Sequence, residues 1–124
     1  MRIIKAEEIN WKLNEEENVY IGFTEKLVFG NDFDIVHAKL KPGQELKKHY
    51  HKRPNNGHEL FFLFNGGHFI LKTKDKEEEI KTDKPIYIYF ASGDIHGLKN
   101  ISDKDLEFQL ICVPSFKPGE VIHV

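Results

Sequence analysis

HYHKRPNNGHELFFLFNGG, residues 49–67, sets three histidines and a glutamate into its first eleven positions and then runs through five apolar residues to a Gly-Gly pair. Alternate residues of a strand point to one face, so His49 and His51 project side by side while Lys48, Tyr50 and Lys52 face the other way. The Asn56-Gly57 pair suits a tight hairpin turn, which would bring His58 and Glu59 back alongside those imidazoles. One of these two neighbours faces inward with the histidines. Periodicity does not choose between them, because Leu60-Phe61-Phe62-Leu63-Phe64 is apolar at both parities. Chemistry leans towards Glu59, since a carboxylate aimed at two imidazoles is compensated by a shared cation.

Outward from this stretch the chain is punctuated at short intervals. Turn signals fall at Gly30-Asn31-Asp32, Pro42-Gly43, Pro54 to Gly57, Gly66-Gly67, Lys74 to Lys76, Ser92 to Asp94, Ser102-Asp103 and Lys117 to Gly119. Punctuation every ~8–12 residues marks an all-β antiparallel sandwich or barrel. The runs between them read as strands: 34–41, 45–52, 58–65, 68–74, 85–90, 97–101 and 106–113. The sole helical expectation is a short turn near Lys5 to Glu8. Glu77, Glu78 and Glu79, flanked by Lys74 and Lys76, read as the solvated tip of a hairpin. Two runs, Leu60 to Phe64 and Ile86 to Phe90, lack a polar face and need cover on both sides. A second sheet, the N-terminal segment or a second copy of the chain would supply it, so a homodimer is expected.

Composition narrows the classes. A chain of 124 residues is one domain on size, 1–124, and large enough to bury about two thirds of its unfolded surface. Eighteen basic residues against twenty acidic ones give a net charge of −2, which offers no field for nucleic acid or an anionic membrane. The lysines around Arg53 are read as a solvated face. Cys112, the single cysteine, lies in the apolar run Leu110 to Val113 and reads as core. The first residues lack an apolar signal region and no stretch approaches the ~18 apolar residues of a membrane span. A soluble, cytoplasmic protein is the expectation.

His96, just past the Ser92-Gly93-Asp94 turn, is a further candidate ligand. At this point the residues resemble a known family. Gly43, five residues, His49-x-His51, then Glu59, six residues and Gly66 is similar to the first motif of the cupin superfamily, and Ala91-Ser92-Gly93-x-x-His96-x-x-x-Asn100 is similar to the second. Seven residues separate His51 from Glu59, more than the family usually has, and the unchanged spacing from Glu59 to Gly66 points to a longer hairpin loop. Ala91 stands where the family commonly has proline. The resemblance implies a jelly-roll β-barrel, the double-stranded β-helix, in which His49, His51, Glu59 and His96 hold one divalent transition metal ion per chain (Zn, Fe, Mn or Ni). It also implies one or two open coordination positions for water or substrate.

Other residues enter as candidates around that centre. His58 is the alternative ligand and the one candidate acid or base. Arg53, on the loop, could clamp a substrate carboxylate or phosphate with its planar fork. Phe61 would wall the interior, and Gln109 would contact substrate if it, rather than Phe108, faces inward. His37, His68 and His123 read as ordinary strand histidines. His58-Glu59 begins like a zinc-protease HExxH helix, but residue 62 is Phe and the context is strand. A small oxygenated ligand, a sugar or an organic acid, is the expected partner. The functional classes are a metal-dependent enzyme (oxygenase, isomerase or lyase), a non-catalytic binding or sensing module, and a barrel stapled by a structural metal. Open positions on the ion favour the first.

Overall fold

A computed structural model describes residues 1, 3–29, 31–52, 57–114 and 119–124, the side chains of 23–29 and 31–32 excepted. After a 3₁₀ turn at Ala6–Glu8, the strands in chain order are β1 Lys12–Asn14, β2 Val19–Phe29, β3 Asn31–Leu40, β4 Glu45–His51, β5 His58–Leu63, β6 Gly67–Lys72, β7 Glu77–Thr82, β8 Ile86–Ala91, β9 His96–Asn100, β10 Leu106–Val113 and β11 Val121–His123. They form two antiparallel sheets, one ordered β1-β2-β3-β10-β5-β8 and the other β11-β4-β9-β6-β7. This is the all-β double-sheet roll expected from the turn spacing.

The inner faces of the two sheets close on one core. Val36, Ala38, Leu40, Phe61, Leu63, Phe108 and Leu110 come from the first sheet, and Leu46, Phe69 and Leu98 from the second. Register stacks the first sheet's inward residues in rows. Asp34, Cys112, Glu59 and Phe90 lie side by side across β3, β10, β5 and β8, and the next row down is Val36, Leu110, Phe61 and Ile88. Thus one end of the roll carries a polar rim above a hydrocarbon interior.

Gly66, at the hairpin between β5 and β6, has φ +63°, and a Cβ there would meet the carbonyl oxygen of Thr82 at 2.3 Å. Only glycine fits both constraints. At that same end the buried Asn100 donates to the carbonyls of Leu40 (3.0 Å) and Lys104 (2.7 Å) and accepts from Ser102. Asn100 therefore ties the β3 terminus to the turn after β9, a structural duty.

Several expectations need correction. Glu77 to Glu79 are not a hairpin tip: they begin β7, the edge strand of the second sheet, and the turn itself is closed by Thr73 N–H donating to Lys76 O at 2.9 Å. Their exposed charges suit an edge, where they oppose pairing with another chain. Strands β1, β2, β7 and β11 lie outside the runs singled out in the sequence. Cover of the apolar strands is also uneven. Trp11 packs over the outer face at His37 (ring centroids 5.4 Å apart) with Lys39 Nζ 4.1 Å from its ring. Over β5 and β8, however, Tyr87 and Tyr89 are 67% and 59% exposed. No helix among the described residues is long and apolar enough to cross a membrane.

Candidate metal centre

The polar rim is completed from the second sheet, and a β-bulge does the aiming. Leu46 of β4 pairs with Leu98 of β9, and His49 pairs with His96, so Lys47 and Lys48 together oppose the single residue Gly97. A regular strand would put Leu46 and His49 on opposite faces. The extra residue restores His49 and His51 to the inward face that Leu46 also occupies, and all three are buried. Gly97 makes this possible: a Cβ on it would stand 2.9 Å from Leu46 O and 3.2 Å from Lys48 Cα.

His49, His51 and His96 each offer a ring nitrogen within 4.8 Å of the others, all buried. His49 Nε2 lies 3.1 Å from His51 Nε2. Glu59, 2% exposed, sets its carboxylate 3.2 Å from His51 Nε2 and 3.6 Å from His96 Nε2. Register thereby decides what periodicity left open: Glu59 faces the imidazoles, and His58 is exposed on the outer face beside the Tyr89 hydroxyl, which it hydrogen-bonds through Nδ1.

The ring orientations are set from behind. His49 Nδ1 meets the carbonyl of Lys47, and His96 Nδ1 that of Asp94 at 2.8 Å. Each Nδ1 donates its proton to a carbonyl, so in the neutral rings Nε2 presents a lone pair towards the centre. Burial, and next the charge of His96, hold the His49 pKa down at about 4, against the weaker upward pull of the Lys47 carbonyl and Glu59. The ring is neutral at pH 7. Phe90 stacks on His96 with centroids 4.0 Å apart, and Phe61 meets it edge-on at 5.6 Å.

Lone pairs and a carboxylate converging in a buried space repel one another unless something positive lies between them. His96 Nε2 is buried without a hydrogen-bond partner among the described residues. Donors about 2.1 Å from one ion lie about 3.0–3.4 Å apart when adjacent; the observed separations of 3.1 and 3.2 Å fall in that range and the third, 3.6 Å, lies just above it. The buried His49, His51 and His96 group could hold a metal ion.

The remaining candidates are placed as follows. Arg53 lies outside the described residues. Gln109 is on the outward parity of β10, since Phe108 and Leu110 on either side are buried in the core, so it does not reach the interior. Phe61 is fully buried and stacked on Phe108 at 5.3 Å, forming the floor under the imidazoles. His37 and His68 face Glu107 (3.3 Å) and Glu79 (2.8 Å), away from the centre. Glu17, which no motif marks, brings Oε2 to 3.6 Å from His49 Nε2. A groove of about 440 Å³ between β8 and the β6–β7 hairpin has Ile88, Tyr89, Phe90 and Ile95 on its wall. A larger recess, about 1030 Å³, lies at the opposite end around Gly66, Thr82 and Asp103; His68 lines it, and His49, His51 and His96 do not. Donor geometry, not volume, marks the centre.

No protein-family model matches this sequence, and no curated protein matches it. Solved structures do. The polyketide cyclase RemF from Streptomyces resistomycificus superposes with a TM-score of 0.67 at 19% identity, covering 100% of this chain and 85% of its own. An uncharacterised conserved protein with a double-stranded β-helix domain from Klebsiella pneumoniae gives 0.66 at 19%, covering 92% and 90%. A predicted oxalate decarboxylase from Thermotoga maritima gives 0.62 at 20%, covering 91% and 99%. Proteins named as cupins are among the other matches.

Proposed function

Because the chain has the cupin fold, the double-stranded β-helix, we propose that it is a mononuclear metal protein acting as a metal-dependent enzyme on a small oxygenated molecule, a sugar or organic acid. His49, His51, His96 and Glu59 hold the ion. The observation that carries this reading is the convergence of three buried imidazole nitrogens, two of them oriented by backbone carbonyls, on a buried carboxylate. Two of the similar structures are named a predicted oxalate decarboxylase and a polyketide cyclase, which supports a small oxygenated substrate.

When bound, a divalent ion with open positions would polarise a substrate oxygen and lower the pKa of a bound water. The chain's own contribution is positional. Lys47 O and Asp94 O fix two rings, Phe90 and Phe61 hold His96 against rotation, and the hydrocarbon row beneath lowers the local dielectric so that charge at the rim acts more strongly. The groove beside Phe90 supplies apolar surface for a ligand's carbon skeleton.

The test is elemental analysis of untagged protein. About one transition metal per chain is expected, lost in His49→Ala and His96→Ala, with Glu59→Gln retaining less metal than His58→Ala. Metal-free wild type after purification in metal-supplemented medium would end this reading.

We further infer that two copies meet over β5 and β8. Phe62 of β5 stacks on Tyr87 of the edge strand β8 at 4.7 Å, and with Tyr89 these rings form an aromatic surface at the sheet edge. A second copy is the occupant favoured by such a surface on a chain with little net charge.

A further inference from the structure

Four strands form the edges of the two sheets, and three of them are guarded. β1 and β11 are each three residues long, and β7 opens with the exposed Glu77, Glu78 and Glu79. Shortness and like charge both deter a second strand from adding to an edge. β8 has neither defence. It runs through Ile86-Tyr87-Ile88-Tyr89-Phe90-Ala91 without a charge, and among the described residues it pairs only with β5.

The backbone polar groups of alternate residues in such a strand face opposite ways, so half of those in β8 meet β5 and the other half point away from the sheet. Beside that free side lies the groove bordered by Ile88, Tyr89 and Phe90, not another strand. The outer face is as bare as the edge. Tyr87 and Tyr89 are 67% and 59% exposed, and Phe62 of β5 stacks on Tyr87. At about 150–250 Å² per aromatic side chain, the two tyrosines alone offer roughly 250 Å² per copy, close to a third of the ~800 Å² per partner in a standard interface.

The order of the side chains suits one occupant. Apolar residues stand at 86, 88 and 90 and tyrosines at 87 and 89, so the strand has the same pattern in both directions. Laid antiparallel against itself about Ile88, it sets Ile86 opposite Phe90 and Tyr87 opposite Tyr89 of the second copy. All four tyrosines then line the outer face, ring beside ring, with their hydroxyls in water. No like charges meet. A two-fold contact requires this kind of self-complementarity.

We propose that β8 pairs with β8 of a second copy, antiparallel and edge to edge, joining the two six-stranded sheets into one. This rests on the reading above that two copies meet over β5 and β8, and adds the form of the contact: main-chain hydrogen bonds along the edge, with tyrosine packing above them. The pairing reaches the candidate metal centre as well. β8 carries Phe90, whose ring stacks on His96 at 4.0 Å, so a partnered β8 holds that ring on a strand bonded along both sides.

Amide hydrogen exchange followed by NMR on the full wild-type chain tests the pairing. Alternate β8 amides, those turned away from β5, are expected to exchange at least about tenfold more slowly than in the monomer obtained with Tyr87→Asp. Cysteine cross-linking reads the register. Directly opposed residues of an antiparallel pair lie about 4.5–5.5 Å apart, within reach of a disulfide. Chains carrying Tyr87→Cys should therefore link on oxidation to chains carrying Tyr89→Cys. Neither variant should link to itself, because its two cysteines would stand about 7–8 Å apart on a diagonal. Cys112 is buried and stays out of the reaction. A wild-type dimer whose β8 amides all exchange as fast as in the monomer overturns the edge pairing and leaves two copies touching by their faces alone. Self-linking of Tyr87→Cys without the mixed product overturns the register about Ile88. A wild type that sediments as a monomer overturns the dimer reading itself, a separate outcome.

Discussion

Gly97→Ala isolates the link between backbone geometry and metal binding. The added methyl would sit 2.9 Å from Leu46 O, 3.2 Å from Lys48 Cα and 3.3 Å from Lys48 N. All three are backbone atoms, so no side chain can swing aside. Relief requires the two strands to separate by several tenths of an ångström at the bulge. Overpacking of this kind costs about 1–3 kcal/mol, which for a chain of 124 residues lowers the melting midpoint by roughly 3–15 °C. The larger consequence is local. Gly97 directly follows His96 in sequence and lies opposite the two residues preceding His49, so the strain moves two rings of the centre relative to each other. Metal affinity should fall about 10–100-fold, the usual loss when the support of a ligand is disturbed. Thermal melts of metal-free protein and a competitive metal titration measure the two effects separately. A variant with wild-type affinity, whatever its stability, would refute the argument that the bulge aims His49.

Acid should destabilise the metal-free protein through His49. Its pKa is about 4 when folded against about 6.5 when unfolded, so between those values the unfolded chain binds the extra proton and stability falls as pH drops. The full loss is on the order of 3 kcal/mol, spent by about pH 4; urea melts from pH 7.5 to 4 measure it, and a His49→Gln slope as steep as wild type would contradict the assignment. Sedimentation at micromolar concentration should show a species of twice 14.5 kDa, shifted to the single-chain mass by Tyr87→Asp; a wild type that is already monomeric removes the dimer.

What was legible in the sequence depended on the range of the cause. β5, β8 and β10 announce themselves because their apolar runs are bounded by turn residues, and their observed limits match the sequence reading to within two residues. β7 was misread because Glu77, Glu78 and Glu79 have the composition of a solvated tip; pairing with Gly67–Lys72 alone makes them a strand. Strand parity set His49 and His51 on one face and Tyr50 on the other, but the bulge that brings them to the side of Leu46 is one that its two lysines do nothing to advertise. Gln109 and Phe108 compete on parity alone, and the core settles it for the aromatic ring. Glu17 was invisible for a different reason. One glutamate of three identical neighbours turns inward, selected by contacts with Lys47, thirty residues later.

That selection bears on how the site is maintained. The rim row, Asp34, Cys112, Glu59 and Phe90, sits directly over Val36, Leu110, Phe61 and Ile88, and full burial of Phe61 leaves the lower row no freedom to shift without opening a void. Large side chains of this kind cost about 3–5 kcal/mol when truncated, so the floor is the stiff part of the molecule. The first sheet therefore delivers Glu59 on a rigid base. His49 and His51 depend instead on the bulge and on the β1–β2 turn bonded to it, backbone devices with little hydrocarbon behind them. Variation in metal preference should accordingly arise on the β4 side, where a hydrogen-bonded turn can be rebuilt without disturbing the core.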